Sequence, residues 1–288
     1  MEVLRTKNDL RLWRKEVVKH QRLGFAPTMG ALHDGHISLI RASKRDNEKT
    51  LISIFVNPTQ FGVNEDFDKY PRDEHSDIEL CKKSGVDALF LPKIAEMYES
   101  GGEIDIIPPK NLSTSFEGGL RSGHFNGVLR VVLKFFNLIR PSNAYFGQKD
   151  AQQLLIIKKM VSDLFLPINI VPCPIVRDSN GLALSSRNAY LKEDSYKDAL
   201  KIPSAINAVR KAYEGGEVDC KILENIALKH LEPLKIDYCK IVDFNLKAQK
   251  KVIENATLML VAVRVATTND KSDNGKLNEV RLLDNIWF

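Results

Sequence analysis

Short apolar runs and amphipathic stretches alternate along the first part of the chain. "LGFAP" (23–27) precedes a helical pattern from His36 to Lys49, and "TLISIFV" (50–56) precedes a second from Asp66 to Ser84. "VDALFLP" (86–92) follows, then "GVLRVVLKFFNLI" (127–139), "NAYFG" (143–147) running into "AQQLLIIKKMVSDL" (151–164), and "INIVPCPIV" (168–176). Brief β-branched and aromatic runs read as strands, and apolar positions three and four apart read as helices. Strand, helix and strand in this rhythm predict an α/β architecture: a Rossmann-like parallel sheet with helices on both faces. Leu154, Ile157, Val161 and Leu164 recur at helical spacing. The segment from Val128 to Ile139 is apolar on nearly every side and predicts a buried helix.

The character changes after Arg187. Charged helix-like segments, Asp194 to Glu214 and Cys220 to Leu231, precede three strand-like runs, "IDYCKIVDF", "TLMLVAVRVA" and "NEVRLLDNIWF". This pattern predicts a smaller α+β domain with antiparallel strands. We place the boundary near Ile175 to Asp178, giving domains 1–175 and 176–288.

Composition narrows the function classes. A chain of 288 residues, 43% of them hydrophobic, can bury a sizeable core. Its net charge of +5 is spread along the chain rather than gathered into a basic stripe, so nucleic acid is not an expected partner. The charged N-terminus lacks a signal-peptide core, and no apolar run approaches the roughly 18 residues that would span a bilayer. The expectation is a cytoplasmic protein with no membrane partner. Cys81, Cys173, Cys220 and Cys239 are widely spaced without a CxxC pair, which predicts buried, reduced thiols rather than disulfides or structural zinc.

The candidate chemistry gathers where predicted strands end. In an open parallel sheet the loops there face one crevice, and helix N-termini present unpaired N–H groups. "PTMGALHDGH" (27–36) occupies such a junction. Gly30 permits tight backbone near a phosphate, Asp34 is the expected N-cap, and His33 and His36 bracket the first helical turn as potential phosphate donors. Two surface histidines at a helix start are the plainer account, and two histidines alone underfill a zinc site. Asn57 and Gln60 follow a second strand, Lys149, Asp150 and Gln153 a third, and Ser185, Ser186 and Arg187 lie beyond a fourth. Each cluster alone is ordinary loop chemistry. Together they offer cations for phosphates and neutral amides for a small polar acid, the requirements of a site that activates an acid with a nucleotide.

"PTMGALHDGH", "VNPTQFGVNEDFDKYPR", "RSGHFNGV", "FGQKDAQQ" and "LSSRNAYL" occur in this order, and the chain from about Leu23 to its final strand resembles the pantothenate synthetase family, within the HxGH nucleotidyltransferases. The resemblance implies a ligase that condenses pantoate with β-alanine using ATP, through a pantoyl adenylate, releasing AMP and pyrophosphate. It further implies a C-terminal lid domain, a homodimer and a requirement for Mg2+. Carried onto this sequence, it assigns ATP to Met29, His33, His36, Gly147, Lys149, Asp150, Val176, Ser185, Ser186 and Arg187. Pantoate falls to Met29, Asn57, Gln60 and Gln153, β-alanine to Gln60 and Arg187, and the metal to Asp77. His33, His36, Lys149, Ser185, Ser186 and Arg187 form the implied catalytic set, while His124 orders a loop. The chain departs from the family pattern at Gln148, Ser122 and Leu184, where Glu, Pro and Met are usual, and these positions bear on loop shape.

Three rival readings use the same crevice. A class I aminoacyl-tRNA synthetase shares the HxGH logic but needs an anticodon-recognition domain and a basic RNA surface, for which this chain has neither room nor charge pattern. Another HxGH-type nucleotidyl-transfer enzyme would share the phosphate residues. A nucleotide-binding regulatory module would need no amides for an activated acid.

Overall fold

The computed structural model describes residues 1–62, 65, 67–99, 102–271 and 277–288. Its first sheet comprises β1 (Glu2–Leu4), β2 (Leu23–Thr28), β3 (Lys49–Ile54), β4 (Ala88–Phe90), β5 (Asn143–Gly147) and β6 (Asn169–Cys173), in the order β1-β4-β3-β2-β5-β6. Every pairing is parallel, and helices cover both faces. Because both faces are covered, the strands are apolar at successive positions: Leu51 and Ile52, Leu89 and Phe90, and Ala144 and Tyr145 are all buried. The helix Asp34–Asp46 packs Ile37 and Ile40 against Ala26, Ile52 and Leu89, and the buried helix His124–Ile139 contributes Phe125, Val132 and Phe136 to the core.

The strand order reverses beside β2. Chain progression from β2 runs outward through β3 and β4, then restarts on the other side with β5 and β6. Pairing between β2 and β5 is confined to Gly24 with Asn143 and Phe25 with Ala144, so their C-terminal halves part. Open sheets of this kind place ligands at such a switch point, outside the carboxyl ends of the strands. Here those ends lead into Met29 and Gln148.

The chain divides into two compact units, Met1–Gln148 with Gln152–Pro174, and Lys149–Ala151 with Ile175–Phe288. The second unit holds an antiparallel sheet of β7 (Lys235–Asp243), β8 (Thr257–Lys271) and β9 (Leu277–Trp287), in that order. Helices Lys201–Glu214 and Cys220–Leu231 bury Ile206, Val209, Leu223 and Ala227 with Ile241, Met259, Val261 and Val263 of that sheet.

Several elements differ from their expected extents. The first long helix begins at Asp34 rather than His36, and its N-cap is His33, not Asp34. The helix expected from Asp66 to Ser84 is Glu74–Lys83; Asp66 itself, like Val63 and Asn64 of the same motif, lies outside the described residues. The segment from Asp194 to Glu214 is two helices, Glu193–Ala199 and Lys201–Glu214. Pro203 explains the break, since it cannot donate to the carbonyl of Ala199 and its ring crowds that carbonyl. Leu164 lies beyond the helix Ala151–Asp163 and is exposed, leaving Leu154, Ile157 and Met160 as buried positions. All four cysteines are buried free thiols. Burial pushes Cys81 and Cys239 up to about 12, and Cys173 and Cys220 up to about 11, which makes them poor nucleophiles. No helix among the described residues is long and apolar enough to cross a membrane.

Candidate active site

The loop leaving β2 turns sharply. Gly30 has φ +85°, and a Cβ there would lie 2.9 Å from Asp77 Oδ2, so both conformation and space demand glycine. Asp77, on the helix Glu74–Lys83, accepts the Ala31 N–H at Oδ2 (3.0 Å) and the Leu32 N–H at Oδ1 (2.8 Å). It is 4% exposed. Burial pushes its carboxyl above the usual range, bonds from Leu32 and Ala31 oppose the rise, and the nearby Asp73 charge adds to it. The residue assigned to the metal therefore clamps the loop that carries the histidines. Among the described residues no group of three or more His, Cys, Asp or Glu could hold a metal ion. Mg2+ in nucleotide sites binds through one or two carboxylates together with substrate phosphates. The residues present do not form a protein cage for it.

Asp77→Asn should test the clamp. An amide in this place turns an NH2 toward one of the two backbone donors, leaving a buried N–H unsatisfied at a cost of about 1–3 kcal/mol. Urea unfolding should show that loss, and an unchanged midpoint would remove the clamp.

Beyond the clamp the two histidines cap the helix reciprocally. His33 Nδ1 accepts the Gly35 N–H (3.1 Å), and His36 Nδ1 accepts the His33 N–H (3.2 Å). Their rings lie 4.1 Å apart between centroids, tilted by 42°. With Nδ1 an acceptor in both, the neutral rings carry their protons on Nε2. The sequence pattern thus yields two Nε2–H donors at the N-terminus of a 13-residue helix.

A second cluster in this unit joins Met29, Asn57 and Gln60. The Asn57 amide donates to Gln60 Oε1 (3.0 Å) and the Gly127 carbonyl (3.1 Å), and Gln60 Nε2 lies 3.1 Å from Met29 Sδ. Tyr98 donates its hydroxyl to Asn57 Oδ1 at 2.6 Å. Gln60's own carbonyl meets His124 Nδ1 at 2.8 Å, while Arg121 lies 2.9 Å from His124 Nε2 and pairs through two nitrogens with Glu65 (2.8 and 2.6 Å). Arg121 can only donate, so His124 accepts at Nε2 and donates from Nδ1 to Gln60. His124 orders this turn, as the motif implied. Burial would raise Glu65, but the Arg121 guanidinium holds it below the usual range. Gln153 is half-buried on the helix Ala151–Asp163, and its amide has no hydrogen-bond partner among the described residues. Its neighbour Gln152 is buried and donates to the Leu112 and Ser115 carbonyls. At the end of β5, among the described residues, no heavy atom beyond Gly147's chain neighbours stands within 4 Å of where a side chain at Gly147 would begin.

The remaining candidates belong to the second compact unit. Leu184 N–H donates to the Val176 carbonyl (3.0 Å) and Arg177 bridges Ala183, so a short hairpin sets Val176 beside the Ser185–Arg187 turn. Ser185 Oγ caps that turn by accepting the Arg187 N–H (3.3 Å). Lys149 is largely covered, its side chain 19% exposed, and its ammonium lies 3.9 Å from the exposed Asp150 carboxylate, the one ion pair it makes among the described residues. A cation held that loosely can turn toward an anionic ligand. Tyr98 and Asn285, which supports the Lys149 turn, carried no local sequence signal, and Glu65 stood inside a quoted motif without a role of its own.

Comparison with known proteins shows the family. Residues 2–287 match the family model described as pantoate-beta-alanine ligase. The chain is 49% identical over 288 residues to a pantothenate synthetase of Wolinella succinogenes, and 49% identical over 289 residues to one of Helicobacter pylori, each alignment spanning 100% of both chains. Among solved structures it is similar to pantothenate synthetase from Thermus thermophilus, with a TM-score of 0.90, 37% identity and 99% of both chains covered. It is also similar to pantoate-beta-alanine ligase from Francisella tularensis complexed with beta-gamma ATP and beta-alanine, with a TM-score of 0.79, 33% identity, and 100% and 97% covered.

Proposed function

Because the chain belongs to the pantoate-beta-alanine ligase family, we propose how its own residues divide that family's reaction. The enzyme joins pantoate to β-alanine with ATP as co-substrate. The observation that carries the residue assignment is the reciprocal capping of His33 and His36, which turns both rings into Nε2–H donors. These donors, with the Lys149 ammonium, bind the ATP phosphates. The pantoate carboxylate then attacks the α-phosphorus, the bond to the bridging oxygen breaks, and pyrophosphate leaves with its electron pair. Fixed donors aimed at the phosphate oxygens stabilise the charge that develops there. Ser185, Ser186 and Arg187 supply the second phosphate-binding set. Met29 and Asn57 shape the pantoate pocket, in which the Gln60 and Gln153 amides hold pantoate oxygens. Gly147 and Asp150 lie against the ribose and Val176 against the adenine.

In the second step the β-alanine amine attacks the acyl carbon and AMP departs, with Arg187 and Gln60 holding the amino acid. Arg187 meets its carboxylate as a two-pronged donor. Mg2+ would enter with ATP and offset phosphate charge, and we assign Asp77 to loop support rather than direct ligation. Residues 1–175 carry the pantoate residues and the two histidines, 176–288 the smaller domain with the second phosphate-binding set, and the enzyme works as a cytoplasmic homodimer. Product analysis tests the reaction. One AMP and one pyrophosphate should appear per pantothenate, and ATP should persist when pantoate is withheld. Stoichiometric ADP would mean activation at the γ-phosphate instead.

A further inference from the structure

Strand β9 carries two adjacent polar residues that are both buried, Asp284 at 2% exposure and Asn285 at 1%. Asp284 pairs with Arg177 through both oxygens (2.6 and 2.8 Å), and Arg177 also donates to the Gly181 carbonyl (3.0 Å). That ion pair fixes the hairpin leading from Val176 to Ser185. Asn285 Nδ2 donates to the Lys149 carbonyl at 2.8 Å, across 136 residues of sequence. The contact lies within the second compact unit, to which Lys149–Ala151 belongs. One dipeptide of the C-terminal strand therefore anchors both chain segments assigned to ATP in that unit.

We infer that Asn285 is a positioning residue for adenylation, holding the Lys149 backbone so that its ammonium reaches the phosphates from a fixed root. Lysine's side chain is flexible, so the place its ammonium occupies depends on where the backbone starts. A misplacement of about 1 Å in a group acting on the transition state can cost on the order of a hundredfold in rate. The buried amide at 285 satisfies the Lys149 carbonyl. Alanine would leave that carbonyl without the donor and the turn without its anchor.

The inference rests on Lys149 acting in adenylation, and a double-mutant cycle separates the two claims. Pantoate-dependent AMP formation would be measured in single turnovers for the unmodified enzyme, Asn285→Ala, Lys149→Ala and the double variant, with thermal unfolding confirming each fold. Asn285→Ala should slow adenylation about tenfold when Lys149 is present, and less than about twofold when it is already alanine. The same loss in both backgrounds, with Lys149→Ala itself strongly impaired, would overturn the positioning role alone. Full activity in Lys149→Ala would overturn both claims. Should Asn285→Ala not fold, Asn285→Ser keeps a donor on a shorter side chain and runs the same cycle with the same outcomes.

Discussion

Lys149→Ala is expected to slow adenylate formation by about two to three orders of magnitude, the range for losing one preorganised donor of transition-state charge. The structure gives the reason for so large an effect at a single side chain. The side chain is largely covered and its ammonium lies 3.9 Å from Asp150, too far for a tight hydrogen bond that would compete with a phosphate. Its removal exposes no buried partner, so stability should change little while chemistry suffers. Single-turnover AMP formation with saturating ATP and pantoate measures the chemical step, and an unfolding curve controls for the fold. Lys149→Arg should recover part of the rate, because it restores charge with a different reach. A well-folded Lys149→Ala that forms adenylate at nearly the normal rate would remove this residue from catalysis.

Strands β2 to β6 were legible because strands buried on both faces leave uninterrupted apolar runs, as in "TLISIF" and "NAYFG". β1 was not, since three residues carry no periodicity. The split at Leu200 was recoverable from Pro203 alone, but the charged pattern on either side continues without a break. The N-cap was misplaced by one residue for a chemical reason. Asp34 is the commoner capping type, yet His33 Nδ1 accepts the Gly35 N–H, the bond an N-cap side chain makes to the second residue of a helix.

The site divides in the same way. Residues that would face ligand follow strand ends in sequence, so His33, Asn57, Gln60 and Lys149 could be found from motifs. Residues that hold them could not. Tyr98 reaches Asn57 across 41 residues and Asn285 reaches Lys149 across 136, and neither separation leaves a local pattern. The resemblance gave Asp77 to the metal, and in the fold its two oxygens accept backbone N–H groups from the histidine loop. An acidic residue on a helix carries no sign of which backbone it will meet.

Radiolabelled pyrophosphate should exchange into ATP when pantoate and Mg2+ are present and β-alanine is withheld. Attack by the pantoate carboxylate on the α-phosphorus makes a mixed anhydride and pyrophosphate. While that anhydride is shielded from water, returning pyrophosphate re-forms ATP. No protein nucleophile is needed, and none is offered by the cysteines, whose thiols burial holds up at about 11 to 12. Without pantoate the attacking group is missing, so exchange should fall to background, the largest effect expected of any single omission. Adding β-alanine should then convert the intermediate to pantothenate and AMP, and exchange should decline as amide formation competes with reversal. Lys149→Ala should suppress exchange as it suppresses forward adenylation, because one transition state serves both directions. Exchange that persists without pantoate would point to an adenylated protein group, and pantothenate formed with no exchange under any condition would rule out a reversible, enzyme-bound adenylate.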